Sequence, residues 1–128
     1  MAENSIITKF RREQLAKVTS GQSATSENIA YIALGDGGAT PEGTPIAPNE
    51  EQTALVNELK RYEVGAPEFP VSTTARYTIT VPEGELVGNK ISELGLLDAQ
   101  GKLCAVRNCS PKGKDADETF TFVFDDEF

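Results

Sequence analysis

Between Ile29 and Leu34 six apolar residues run without interruption and stop at Gly35-Asp36-Gly37-Gly38. A run this short, rich in Ile and Tyr and closed by glycines, predicts a strand buried on both faces, around which the rest of the chain packs. The glycines are expected to take the chain through backbone angles closed to other residues. From Val71 to Val81 the pattern becomes strict alternation, with Val71, Ala75, Tyr77, Ile79 and Val81 on one side and Ser72, Thr74, Arg76, Thr78 and Thr80 on the other. That period belongs to a half-exposed strand. It returns from Glu118 to Phe124, where Phe120, Phe122 and Phe124 oppose Thr119, Thr121 and Val123, after which Asp125, Asp126 and Glu127 are expected to leave for solvent. Ile91–Leu97 and Lys102–Asn108 read as a hairpin closed by Asp98-Ala99-Gln100-Gly101. Ser110 to Ala116, with Pro111 and Gly113, reads as a further turn.

Two segments carry helical spacing instead. Ile7, Phe10, Leu15 and Val18 place an apolar side on a helix over Ile7–Thr19, with Asn4 or Ser5 as its cap and Gly21 just past its end. Asn49 opens a second helix, with Gln52 three residues on as a capping-box partner. Leu55, Val56, Leu59 and Tyr62 make its apolar face, Glu50 and Glu51 favour its first turn, and Lys60 and Arg61 its last. Between these elements, Ser20–Asn28 is a polar connector. Gly35 to Pro48, broken by Pro41, Gly43, Pro45 and Pro48, is a loop of functional or mobile kind. Gly65 to Pro70 interrupts the chain again. Helices first and strands later predict an α+β fold, in which two short helices of the N-terminal half pack on a mainly antiparallel sheet or small β-sandwich.

A length of 128 residues suits one domain spanning 1–128. The formal net charge of −8 argues against nucleic acid, which needs a basic stripe. The cations do not supply one, because Lys9, Arg11, Arg12 and Lys17 share the first helix with Glu13 and the rest are scattered. There is no histidine, so the commonest general base and metal ligand is missing. Cys104 and Cys109 lie five apart on one strand and so on opposite faces, which disfavours a disulfide between them and suits a reducing compartment. Two cysteines without histidine do not make a zinc site. The N-terminus lacks the apolar stretch of a signal peptide, and no segment is long enough to cross a bilayer, so synthesis in the cytoplasm and no membrane partner are expected.

The candidate chemistry is thin. Gly35-Asp36-Gly37-Gly38 fails as a phosphate loop, because no GxGxxG or Lys-Ser/Thr follows and no helix starts directly after it. Asp36 with Glu42, or Asp98 with the acidic tail, lacks calcium-loop spacing. Serine and cysteine have no histidine to activate them. Carboxylate pairs drawn from Glu58, Glu93 and Asp98 have structural uses instead. Glu58 and Arg61, three apart, are helix neighbours that can pair. Glu93 stands inside the apolar run Ile91-Ser92-Glu93-Leu94-Gly95-Leu96-Leu97 and needs a cation or backbone donors. Arg61 is the partner expected, tying helix to sheet, and Glu93→Gln should then keep the fold but lower the melting temperature. No catalytic, cofactor or metal residues are assigned.

Three motifs in order carry a resemblance. They are IALGDGG (Ile32–Gly38), TALVNELKR (Thr53–Arg61) and ISELGLLDAQGKLCAV (Ile91–Val106). Together they resemble the N-terminal module of bacteriophage tail-collar and tail-fibre proteins, over a stretch from the first helix to about Val106. The resemblance implies a non-enzymatic structural component of a phage or prophage-derived tail that anchors or connects fibre and baseplate proteins. It also implies a homo-oligomer, a trimer or hexamer, and a virion location. Gly35, Asp36, Gly37, Gly38, Glu58, Arg61 and Glu93 are then fold-maintaining or interface residues. Family members often continue into a shaft and receptor-binding tip, whereas this sequence stops at Phe128, as expected of a free-standing tail component or a remnant. The competing expectation is a small β-sandwich that binds carbohydrate or another small ligand, with Tyr31, Tyr62 or Tyr77 stacking on it.

Overall fold

The computed structural model describes residues 4–23 and 27–128; the middle of the Ser20–Asn28 connector and the first three residues lie outside these. Along the chain run β1 (Ser5–Ile7), α1 (Lys9–Thr19), β2 (Ile29–Gly35), β3 (Glu58–Glu63), β4 (Glu68–Val71), β5 (Thr74–Val81), β6 (Lys90–Asp98), β7 (Leu103–Gly113) and β8 (Phe120–Glu127). They form two antiparallel sheets, of order β1-β7-β6-β2-β3 and β4-β5-β8. The α+β expectation of two helices on a sheet is overturned, since among the described residues there is one short helix and the rest of the regular structure is strand.

Alternation decides the faces of β5 and β8, but the expected strand over Val71–Val81 is broken by a turn at Ser72-Thr73, so Val71 ends β4 with 58% exposure and β5 starts at the buried Thr74. Ile79 and Val81 of β5 and Phe122 and Phe124 of β8 point from the three-stranded sheet onto Ile32, Leu34, Leu94, Leu96 and Ala105 of the five-stranded one, and this contact is the main core. β6, not β2, is the middle strand, buried continuously from Ile91 to Asp98. The outer face of the larger sheet is covered by a second apolar group in which Leu55 meets Ala33, Leu97, Leu103 and Val106. The β6–β7 hairpin turns where expected. Asp98 Oδ1 accepts from the main-chain N–H of Gln100 and of Lys102, both at 2.9 Å, and Gly101 takes a φ of +81°.

Four local expectations fail for tertiary reasons. Asn49 and Gln52 make half of a capping box, Asn49 N–H donating to Gln52 Oε1, while Asn49 Oδ1 accepts from Glu51 N–H rather than Gln52 N–H, each at 2.9 Å. They close a single turn, however, because Glu58–Glu63 pairs with β2 and becomes strand β3. Ser110–Ala116 is not a turn at its start, since β7 continues through Pro111 to Gly113 against Lys90 and Ile91. Likewise Glu68–Val71 is strand β4, and β8 runs on through Asp125, Asp126 and Glu127 against Arg76, Ala75 and Thr74. The acidic residues stay because cations meet them: Arg76 Nε lies 2.8 Å from Asp125 and Arg11 Nη1 2.7 Å from the fully buried Asp126.

The first helix forms, but Thr8 caps it rather than Asn4 or Ser5, while Ile6 and Ile7 belong to β1. Its end matches expectation: Gly21 sits at φ +78°, and Gly21 and Gln22 donate to Val18 and Lys17 in the 5→2, 6→1 pattern of a Schellman stop. No residue of α1 is fully buried, so its apolar side is shallow. The helix is held mainly at its start. Thr8 Oγ1 donates to Leu103 O at 2.8 Å, and Arg11 reaches across to β8.

Candidate functional site

The one charged side chain with no exposure in the middle strand is Glu93. β6 carries it opposite Gly35 of β2 on one side and Asn108 of β7 on the other. Its carboxylate is met by main chain, not by a cation. Oε1 accepts from the N–H of Val56 at 2.8 Å, and Oε2 accepts from the N–H groups of Gly37 and Asn57, both at 2.9 Å. The expected partner Arg61 is elsewhere. It forks onto Glu58, Nε to Oε2 at 2.8 Å and Nη2 to Oε1 at 3.1 Å, and lies over the Tyr31 ring. That fork, strongest with Glu58, raises the Arg61 pKa further above its ordinary value.

Residues three apart on a regular strand point to opposite faces. Glu58 and Arg61 meet because the β2–β3 register shifts between Leu34 and Gly35, where Leu34 faces Lys60 and Gly35 faces Glu58. The extra residue, Leu59, is a bulge that returns the pair to one side. The Glu58–Arg61 pair was thus legible in the sequence, but its helical rationale was not correct.

The glycine turn is explained by space rather than by backbone angle. Gly35, Gly37 and Gly38 do not adopt positive φ. A Cβ on Gly35 would fall 2.5 Å from Glu93 Oε2 and against the Asn57 carbonyl oxygen, and one on Gly37 would fall 2.5 Å from Val56 Cβ. One on Gly38 would collide with the Ser92 carbonyl oxygen and lie 2.8 Å from Asn108 Oδ1. The backbone must approach this closely for its N–H groups to reach Glu93 and for Gly38 N–H to reach Ser92 Oγ at 2.9 Å. Asp36 completes the turn by accepting from Asn57 Nδ2 at 2.6 Å.

The proline-rich segment after the turn is pinned. Ala39 bridges Pro45, Ile46 N–H donates to Gly38 O at 2.9 Å, and Asn108 Nδ2 donates to Ile46 O at 2.7 Å. Beside it lies an open groove of about 730 Å³, lined among others by Asp36, Thr40, Glu42 and Lys90. The residues that sequence reasoning missed are those donating or accepting through main chain, Val56 and Asn57. Ser92 and Asn108, polar groups in apolar strands, were a readable signal for such partners.

Chemically this arrangement fixes two chain segments, the Gly37-Gly38 turn and Val56-Asn57, to β6. A carboxylate with no exposure and its oxygens engaged by main chain is closed to a ligand. Of the candidate cation ligands, Asp36 accepts from Asn57 and Asp98 from its own hairpin turn. Among the described residues no three His, Cys, Asp or Glu side chains gather as a metal site. The tyrosines are engaged too. Tyr31 lies beneath Arg61, Tyr77 packs on the main core, and Tyr62 donates to Glu85 at 2.7 Å. Burial, reinforced by the bond to Glu85, raises the Tyr62 pKa well above that of a free phenol. Cys104 and Cys109 are both free thiols, and burial pushes Cys104 up to about 11.

The chain is β-rich, and its buried Glu93 ties its own loops down. Its family follows from sequence: the model for the phage tail-collar fibre protein, N-terminal, matches residues 1–121, and the chain belongs to that family. It is accordingly a structural component of a phage tail that sits in the virion and interacts with other tail proteins. No curated protein and no solved structure matches the chain.

Proposed function

We propose that this chain is a non-enzymatic connector, anchoring fibre or baseplate proteins in the tail through protein–protein contacts as a homo-oligomer of three or six copies made in the host cytoplasm. The family match over residues 1–121 carries the reading. The site geometry supports it, because the most deeply buried carboxylate of β6 holds loops in place instead of facing a cleft. Rigid loops and strand edges suit docking, where ordering a flexible surface would cost affinity.

The test is made on assembled particles. Tails purified from phage carrying a tagged copy should contain the chain at fixed stoichiometry, and deleting its gene should give particles that lack the fibre or baseplate neighbour. Fibre-bearing, infectious particles assembled without it would overturn the proposal.

A further inference from the structure

Among the described residues the sheets end in four edge strands, β1, β3, β4 and β8. β1 is three residues long, and β3 shows Lys60, Arg61 and Glu63 to solvent, the charged protection typical of an edge. β4 differs. All four of its residues are exposed, and two are large and apolar, Phe69 at 63% and Val71 at 58% exposure. Pro70 between them has no N–H, so this edge is poorly suited to adding a further strand. What it presents is side chains, with Glu68 alongside.

The opposite edge of the same sheet borders a groove. Between β7 and β8 lies a groove of about 230 Å³ with Leu94, Cys109, Phe122 and Val123 in its walls, and Arg107 and Lys112 beside them. It has room for a phenyl ring. Neither cation forms a salt bridge among the described residues, although Arg107 is within electrostatic reach of Asp125. On a chain of net charge −8 a groove flanked by two cations is an exception.

We propose that Phe69 and Val71 of one copy seat in the β7–β8 groove of a second copy, with Glu68 facing Arg107 and Lys112. Apolar knob matches apolar wall and acid matches base. Knob and groove lie at opposite edges of one sheet, so each copy that gives a knob still offers its own groove. The contact is heterologous and builds a ring where its rotation closes, a filament where it does not. The inference rests on the reading of the chain as a self-associating tail component and names the surfaces.

Phe69→Cys, an exposed position, tests it with the native Cys109 as the reporter in the groove wall. Under copper–phenanthroline oxidation a ladder of disulfide-linked multimers is expected on non-reducing gels. The ladder should vanish in Phe69→Cys/Cys109→Ser, whose fold is checked by circular dichroism. In parallel, sedimentation of the wild type should show self-association, which Phe69→Glu weakens about tenfold or more. A wild type that is monomeric at every concentration, or a ladder that survives loss of Cys109, overturns the proposal. Either failure would leave attachment to other tail proteins standing, since that is read on whole particles.

Discussion

Replacing Glu93 with Gln changes one atom in a polar contact with no solvent exposure, and its cost can be worked from the geometry. Two N–H groups, from Gly37 and Asn57, converge on Oε2 and one, from Val56, on Oε1. The Gln carbonyl oxygen will take the two-donor position and its NH₂ will face Val56 N–H, donor against donor. Hydrogen bonds to a charged group contribute about 1.5–3 kcal/mol against roughly 0.5–1.5 for neutral ones, and an orphaned buried donor costs about 1–3 kcal/mol. Relief from desolving a carboxylate offsets part of this. The net loss is about 2–4 kcal/mol, which for a chain of this length lowers Tm by roughly 7–15 °C. With no tryptophan to report, urea and thermal unfolding followed by far-UV circular dichroism is the assay. Arg61→Ala should cost under about 1 kcal/mol, as for a surface ion pair, and should show no coupling to Glu93→Gln in a double-mutant cycle. A Glu93→Gln variant within about 0.5 kcal/mol of wild type, or a coupling with Arg61 above about 1 kcal/mol, would refute the assignment of main-chain partners.

Further outcomes are expected elsewhere in the molecule. Arg11→Ala leaves Asp126 buried without its cation and should destabilise by about 3–5 kcal/mol, measured by urea midpoint; a change near zero would mean that solvent reaches Asp126. Gly38→Ala drives a Cβ into the Ser92 carbonyl and should cost about 3 kcal/mol or more, whereas Gly65→Ala, with open space around it, should be nearly neutral. Hydrogen bonds from Lys60 and Tyr62 hold Glu85 below its ordinary range, and Arg76 does the same for Asp125. Stability from both is complete above the unfolded values of 4.5 and 3.8 and is lost as pH falls through the lower folded values, so Lys60→Ala and Arg76→Ala should flatten the acid side of a Tm–pH curve. Cys104, raised to about 11 by burial, should react with a thiol reagent at neutral pH only as fast as the protein opens, and prompt labelling would contradict its placement.

Legibility in the sequence followed how local the cause was. The alternation from Ala75 to Val81, the hairpin of β6 and β7, and the glycine after α1 are decided within a few residues and appear where the pattern put them, whereas Val71 falls on β4 across a turn. Asn49–Arg61 misled because its capping signals are real over one turn. What overrides them lies far along the chain: the open edge of β2, and a carboxylate at position 93 that takes the N–H groups of Val56 and Asn57. A helix there would have used those donors internally. The acidic end of β8 was misplaced for a similar reason, since nothing near Asp126 in sequence announces Arg11. For Glu93 the sequence posed the right problem, a charge in an apolar strand, and left two solutions, of which the cation was the wrong one.

The three motifs that carry the family resemblance are brought to one point by the fold. Gly37 comes from the first, Val56 and Asn57 from the second, and Glu93 from the third, and they meet as three N–H groups around one carboxylate. An apolar residue at 93 would leave those donors without acceptors, and a side chain on Gly35 or Gly37 would keep the loop from reaching them. The motifs therefore depend on one another physically. Each looks nondescript alone because none makes a site without the other two. A signature of this kind marks how the chain is held together.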